Sequence, residues 1–270
     1  MKKRKIKPLK SIQARWQTYI AAHYKNSFYG RKLQKFKNIH KGERCFIIAN
    51  GPSLTAEDLN LLYKNKEITF GMNRIYKFFE KTNWRPTYYV CEDEHIFQDC
   101  QEQINEIAAE VKFIPSELHW YYDINIDNAT WFHLCYQAEK EDPEYHISTD
   151  IAERIDGRGT VTATCMQIAL YMGFEQIYLL GVDHNYRIII DETGSVIQDK
   201  NAKDYFCEDY DSDIKEQVVH DMGKNTKAYR DVKRYCDDTK CAAIYNATRG
   251  GKLEVFERVD FDKLFKGKEG

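Results

Sequence analysis

The sequence predicts one α/β domain: a doubly wound, mostly parallel sheet with helices on both faces, preceded by a basic helical arm. Three observations predict it. Short apolar runs rich in β-branched and aromatic residues alternate with helical stretches of 9 to 15 residues. Five of the six runs end in a polar turn containing Gly, Asn or Asp. The charge changes sign at Gly42-Glu43, which separates a leader from a body.

Residues 1–42 hold 13 Lys/Arg and no Asp or Glu, whereas residues 43–270 carry 27 basic against 42 acidic side chains, a net of −15. Residues 1–10 are expected to be disordered, and Ser11–Lys37 to form one basic helix broken near Gly30. Trp16, Tyr19, Tyr24, Phe28 and Tyr29 punctuate this arm. Amphipathic aromatics among cations suit an anionic membrane face, and equally a partner subunit, including a second copy in a homo-oligomer. A nucleic acid is not expected as a partner, because the acidic body repels a polyanion.

The body, 43–270, is large enough for one core, with 43% hydrophobic residues overall. No apolar run reaches membrane-spanning length and no secretory h-region opens the chain, so the expected location is cytoplasmic, peripheral on the inner membrane face if the arm docks there. The eight cysteines show no C-x-x-C and no paired zinc spacing, which excludes a disulfide framework and a zinc site. G-x-S-x-G, H-E-x-x-H and EF-hand patterns are absent as well.

Cys45–Ala49 reads as a strand buried on both faces, running into Asn50-Gly51-Pro52-Ser53 and a helix at about Ala56–Lys64 that Ser53 can cap. Such a strand, turn and helix start leave backbone N–H groups aimed at open space, where an anion such as phosphate is held. Ile68–Met72 is the second strand, ending at Asn73-Arg74, and Thr87–Cys91 the third, ending at Glu92-Asp93. A helix at Ile96–Glu110 leads to Val111–Ile114, closed by Pro115. Residues 117–156 are an aromatic, polar insertion expected in an active-site wall. Gly159-Thr160 opens the apolar helix Val161–Met172, stopped by Gly173, and Gln176–Leu180 runs into Asp183-His184-Asn185-Tyr186. Residues 187–219, with an acidic tract at Glu208–Asp213, are expected to form a lid. A helix at Asn225–Asp237 and a strand at Cys241–Tyr245 complete the alternation, with Asn246, Thr248 and Arg249 in the closing turn.

Ligands of open parallel sheets sit outside the carboxyl ends of the strands. Five polar strand ends are therefore expected to converge on one rim: Asn50 to Ser53, Asn73-Arg74, Glu92-Asp93, Asp183 to Asn185, and Asn246 to Arg249.

The ordered set A-N-G-P-S-L (49–54), G-M-N-R (71–74), the T-x-T run through G-V-D (160–183) and H-D-M-G-K-N-T (220–226) resembles the bacterial sialyltransferases that use CMP-sialic acid. It is also similar to the broader group of flagellin-glycosylation accessory proteins and 6-hydroxymethylpterin diphosphokinases, which Y-N-A-T-R-G-G-K-L-E-V-F (245–256) resembles more closely. The resemblance implies a single Rossmann-like nucleotide-binding domain over about 43–256 and metal-independent transfer from a nucleotide-activated donor, with no cofactor required. By position, Asn50, Ser53 and Asn73 would contact the donor nucleotide, Gly51 and Pro52 would shape its turn, and Thr160 and Thr162 would meet phosphate and sugar. Three positions depart from the sialyltransferases. Met222 stands where their catalytic histidine is expected, with His220 two residues earlier; Asn185 or Tyr186 falls near their phosphate-binding tyrosine; and Glu92-Asp93 replaces an asparagine.

The chemistry needs a base for the acceptor hydroxyl and donors for the departing phosphate. His220 and His184 are the candidate bases, each set against a plain surface or supporting histidine. Asp183 is a catalytic candidate or a turn-stabilising carboxylate. Glu92 and Asp93 bind a ribose hydroxyl, orient the base, or form a solvated loop. Arg74 and Arg249 are the candidate cations for phosphate or a sugar carboxylate. The expectation is a glycosyltransferase moving a sialic-acid-like sugar from a CMP-linked donor to a cell-surface polysaccharide or lipid-linked glycan. The alternatives are an ATP-dependent diphosphokinase using Mg²⁺ held by Glu92, Asp93 and Asp183, or an accessory nucleotide-binding protein without turnover.

Overall fold

The computed structural model describes residues 11–122, 124–135, 147–157, 159–191, 193–210 and 219–266. Ser11–Ala22 (α1), a 3-10 turn at Tyr24–Asn26 and Phe28–Gln34 (α2) precede the sheet. Arg44–Ile48 (β1), Ala56–Lys64 (α3), Ile68–Met72 (β2), Tyr88–Val90 (β3), Glu94–Glu106 (α4) and Val111–Pro115 (β4) follow. Ser116–Tyr122 (α5), Ala129–Phe132 (β5), Leu134–Cys135 (β6) and Ile155–Asp156 (β7) lead to Val161–Met172 (α6) and Gln176–Leu180 (β8). The chain ends through Ile188–Ile190 (β9), Val196–Gln198 (β10), His220–Asp221 (β11), Met222–Thr239 (α7), Ala243–Asn246 (β12) and Glu257–Arg258 (β13).

The main sheet runs β13-β12-β8-β1-β2-β3-β4-β5, and every pairing in it is parallel. It is Rossmann-like and doubly wound: the chain builds outward from β1 to β5, then returns to place β8 on the other side of β1. The strand order therefore reverses between β1 and β8, and a crevice opens at their carboxyl ends. Successive side chains of one strand serve opposite faces. Cys45 and Ile47 join the core under α6 and α7, with Phe70, Met72, Ile177 and Leu179. Phe46 and Ile48 join the core under α3 and α4, with Tyr89, Tyr178 and Leu180.

Local signals account for the sharpest boundaries. The cap of α3 is Thr55, in a reciprocal capping box with Asp58, and not the expected Ser53, whose hydroxyl turns to Asp183. Thr160 caps α6, and Gly173, in the left-handed region at φ 88°, ends it.

Several expectations are corrected. The basic segment is two helices, because the chain leaves helical geometry at His23–Ser27 and Ser27 caps α2; Gly30 lies inside α2, where any Cβ would clash with the carbonyl oxygens of Tyr24 and Ala152. The helix expected at Ile96–Glu110 starts at Glu94, capped by Asp93, and ends at Glu106. The helix expected from Asn225 starts at Met222, capped by Asp221. The insertion at 117–156 supplies an edge strand of the main sheet, β5, and the small β6–β7 pair. Residues 1–10 and 211–213, in which disorder and part of the acidic tract were expected, lie outside the described residues.

Candidate functional site

The turn after β1 is locked to the turn after β8. Gly51 N–H donates to the Gly181 carbonyl at 2.9 Å. A Cβ at Gly51 would stand 2.0 Å from Asp183 Oδ2 and 2.5 Å from the Gly181 oxygen, so only glycine fits this approach. Ser53 donates to Asp183 Oδ2 from its hydroxyl at 2.8 Å and from its backbone N–H at 3.4 Å. Asn50 donates from Nδ2 to the Met72 carbonyl at 3.1 Å, which ties the β1 turn to β2.

Beside these turns, at the strand-order reversal, lies a cavity of about 390 Å³. Asn50, Asn73, Thr160 and Asp183, far apart in the numbering, all line it. So do Gly51, Glu92, Asp93, Gly159, Thr162, Asn185 and both expected histidines, with Tyr186. The starts of α6 and α7 flank the same space, since Thr160, Asp221 and Lys224 belong to the lining, so the positive ends of both helix dipoles lie beside it. Gly159, at φ 100°, lets the two helix starts come together, because a Cβ there would sit 2.7 Å from Ala228 Cβ.

Four lining residues contain a buried polar atom without a hydrogen-bond partner: Asn50 Oδ1, Asn73 Oδ1, His184 Nδ1 and His220 Nε2. Buried polar atoms are rarely left this way, and their gathering around one cavity marks a place where a ligand completes the bonding. Asn73 and His184 also hold positive φ, 50° and 52°, a costly conformation for histidine that is characteristic of functional sites.

The two histidines differ in their supports. His184 Nε2 lies 2.9 Å from Thr226 Oγ1, and its ring meets Tyr229 edge-on. His220 stacks on Tyr186. Burial lowers both pKa values to about 4; the neighbouring His220 lowers His184 further, while Asp204 works in the opposite sense on His220. Both rings are therefore neutral near pH 7, the form that accepts a proton.

Five carboxyl groups line the cavity, and each is engaged. Asp93 accepts backbone N–H bonds of α4, Asp221 accepts from Lys224 N, and Asp204 accepts from the backbone and guanidinium of Arg187. Asp183 takes the Ser53 bonds, and burial raises its pKa. Glu92 accepts from Thr164 Oγ1 at 2.7 Å, and burial raises its pKa to about 7. Among the described residues, no cluster of three or more His, Cys, Asp or Glu is arranged to hold a metal ion.

Pro52, Ser53 and Arg74 stand apart from the lining, and so does the whole end of β12, so that four of the five expected strand ends, not five, meet at the cavity. Ser53 is tied to the β8 turn instead, through Asp183. Arg74 is fully buried and donates from Nη1 to the Tyr210 carbonyl at 2.7 Å, pinning the segment that roofs the cavity. Arg249 also lies outside the lining, where Asp58 and Asp262 bind it. No described residue of 117–156, the stretch expected in the wall, lines the cavity; 123 and 136–146 of it lie outside the described residues. Residues 187–219 do contribute, through Asp204, Tyr205, Tyr210 and Val219. Sequence reasoning missed Lys224, Asn225 and Tyr229, although the first two belong to the H-D-M-G-K-N-T stretch.

Fold and site together define a Rossmann-like domain with a polar ligand cavity at the reversal of strand order. The sequence profile of the family described as 6-hydroxymethylpterin diphosphokinase MptE-like matches residues 21–188, and the chain belongs to that MptE-like family. The match begins inside α1 and stops in β9, so His220 and the 245–256 run lie beyond it. No curated protein matches the chain. Among solved structures, the MAf glycosyltransferase from Magnetospirillum magneticum AMB-1 is similar in fold, with a TM-score of 0.51 at 15% identity over 92% of this chain. This chain spans 40% of the length of that protein. The sialyltransferase CstII from Campylobacter jejuni, solved with cytidine-5′-monophosphate, gives a TM-score of 0.45 at 16% identity, over 81% of this chain and 85% of that one.

Proposed function

We propose that the chain is a glycosyltransferase that takes a sugar, of sialic-acid type, from a CMP-linked donor and passes it to a hydroxyl of a glycan or lipid-linked acceptor. The observation that carries this reading is the convergence of four unpartnered buried polar atoms and two helix starts on one cavity. Asn50 and Asn73 offer side-chain amides to a nucleoside, while the positive end of the α6 dipole, at Thr160, suits a single phosphate. Only Lys224, largely exposed, adds a formal cation among the described lining residues, which fits one phosphate better than two.

In the transfer, the acceptor oxygen bonds to the anomeric carbon as the bond from that carbon to the phosphate oxygen breaks. The electron pair leaves with the nucleotide, and the hydroxyl proton passes to an imidazole. His220 Nε2, buried and unpartnered in the cavity, is assigned that proton. A phosphate nearby raises the pKa of this ring from about 4 toward the working pH, which strengthens it as a base when donor is bound.

The family description favours a second reading, a diphosphokinase acting on a pterin-like alcohol with ATP. That reading implies Mg²⁺, and the residues do not fit it: Glu92, Asp93 and Asp183 are each committed to separate donors. A third reading, nucleotide binding without turnover, makes no demand on the histidines.

Thermal-shift ranking of CMP, UDP, GDP and ATP, with Mg²⁺ and with EDTA, tests the first reading against the second. A ligand at 100 times its Kd stabilises by roughly 2.7 kcal/mol. CMP is expected to rank first, unaffected by EDTA; Mg-dependent ATP outranking CMP overturns the proposal. CMP release from a CMP-linked acidic sugar then separates turnover from mere binding. His220→Ala should lower that rate by ~10²–10⁴ with donor affinity retained, and an active variant shifts the role to His184.

A further inference from the structure

We propose that residues 11–42 form a docking surface for an anionic lipid bilayer. The inference is independent of the reaction assigned to the cavity. Every ionised side chain of residues 1–42 is basic, 13 Lys/Arg against no Asp or Glu, while the rest of the chain is acidic. The described part of this basic segment, from Ser11 on, is built onto the domain. Gln17, Tyr24 and Leu33 are buried, Lys25 pairs with Asp150 at 2.6 Å, and Lys32 Nζ donates to the Ala129 carbonyl on edge strand β5 at 2.9 Å.

Beyond these contacts the segment leaves large rings in solvent, Trp16 in part, since it meets the buried Trp120 in an edge-to-face contact. Trp16, Tyr19 and Phe28 are 47%, 60% and 72% exposed, although each is large and aromatic. Trp16 and Tyr19 are one helical turn apart on α1 and share a face. Arg15, Arg31, Lys35, Lys37 and Lys41 are exposed on the same segment. Exposed aromatics set among cations match the interfacial zone of a bilayer, where rings settle at headgroup depth and cations meet anionic lipid. An anionic plane attracts this face and repels the acidic body, so the charge separation within the chain also fixes its orientation on the surface. A single-stranded nucleic acid would use both the cations and the rings, by stacking, but a polyanion long enough to pass the arm meets the repulsion of the acidic body.

The test uses the whole protein and vesicles of phosphatidylcholine, with or without about one third phosphatidylglycerol, in low salt, read by co-sedimentation and tryptophan emission. The expected result is binding to the anionic vesicles, little binding to the neutral ones, and a blue shift of emission. Arg31→Glu with Lys35→Glu and Lys37→Glu should weaken binding by about tenfold or more, as should added salt. Trp16→Ser with Tyr19→Ser and Phe28→Ser should weaken it and remove the shift, with the thermal midpoint of each variant confirming that the fold persists. No binding to anionic vesicles, equal binding to both vesicle types, or unchanged binding by both variants overturns the proposal. Concentration-dependent dimerisation lost in the aromatic variant, without vesicle binding, gives the face to a second copy and overturns it as well.

Discussion

The imidazole of His220 stacks on the phenol of Tyr186, with ring centroids 3.7 Å apart and planes 14° from parallel. This contact excludes water from one face of the ring and helps keep it neutral. His184, buried nearby, has the same depressed pKa. The ordinary value is near 6.5 and the folded value about 4 for both, so between these limits the unfolded chain takes up protons that the native state refuses. Their stabilisation is complete above about pH 6.5 and is lost as the pH falls toward 4, by up to roughly 3 kcal/mol per ring. Denaturant midpoints measured from about pH 7 down to about pH 4.5 should show this acid-side loss, and His184→Gln with His220→Gln should remove most of it. An unchanged slope in the double variant would assign the loss to other groups.

Glu92 runs the opposite way. Its ordinary value is 4.5 and its folded value about 7, so the native state keeps a proton that the unfolded chain releases. Stability from this group is complete below about pH 4.5 and falls as the pH rises through 7. Glu92→Gln should therefore match the parent in acid and exceed it by roughly 1–3 kcal/mol at about pH 8, read from the same midpoints. A variant less stable than the parent in alkali would show that the ionised carboxylate is well accommodated.

Gly51→Ala tests the lock between the β1 and β8 turns. The Asp183 side chain can rotate away from a new methyl group, but the Gly181 carbonyl, 2.5 Å from it, belongs to the backbone and must shift. Overpacking of this kind costs ~1–3 kcal/mol, a fall in Tm of ~2–9 °C for a domain of this size. Nucleotide-induced thermal shifts should shrink with it, because Asn50 moves with the turn. A variant with parental Tm and parental ligand shifts would show that the turn has slack.

Arg249→Gln separates structure from binding. The guanidinium holds the buried carboxylate of Asp58 through Nη1 at 2.6 and 2.8 Å, beyond the cavity lining. Asp58 also completes the cap of α3, so the loss should reach ~1–3 kcal/mol in chemical denaturation, with donor affinity unchanged by calorimetry. Weakened nucleotide binding in a folded variant would return Arg249 to the phosphate.

The parts of the fold that were legible in the sequence are those governed locally. Ala56–Lys64, Ile68–Met72, Val161–Met172 and Gln176–Leu180 fall where capping residues, apolar runs and glycine place them. Convergence of Asn50, Asn73, Thr160 and Asp183 was legible because a parallel sheet turns all its carboxyl ends to one rim. Arg74 was misread because its partner, Tyr210, is distant in sequence, and only tertiary contact turns a rim arginine into a core one. Strand β5 was hidden in an aromatic stretch without clean alternation, and Lys224 by the low specificity of any single exposed lysine.

The alternation of Cys45 and Ile47 with Phe46 and Ile48 between two cores reaches beyond packing. Inserting or deleting one residue in Arg44–Ile48 would exchange the contents of both helical layers at once and swing the Asn50 amide to the wrong side of the sheet. Drift at this strand is thus confined to swaps that preserve its length, and ligand specificity here must diversify through the loops that follow it.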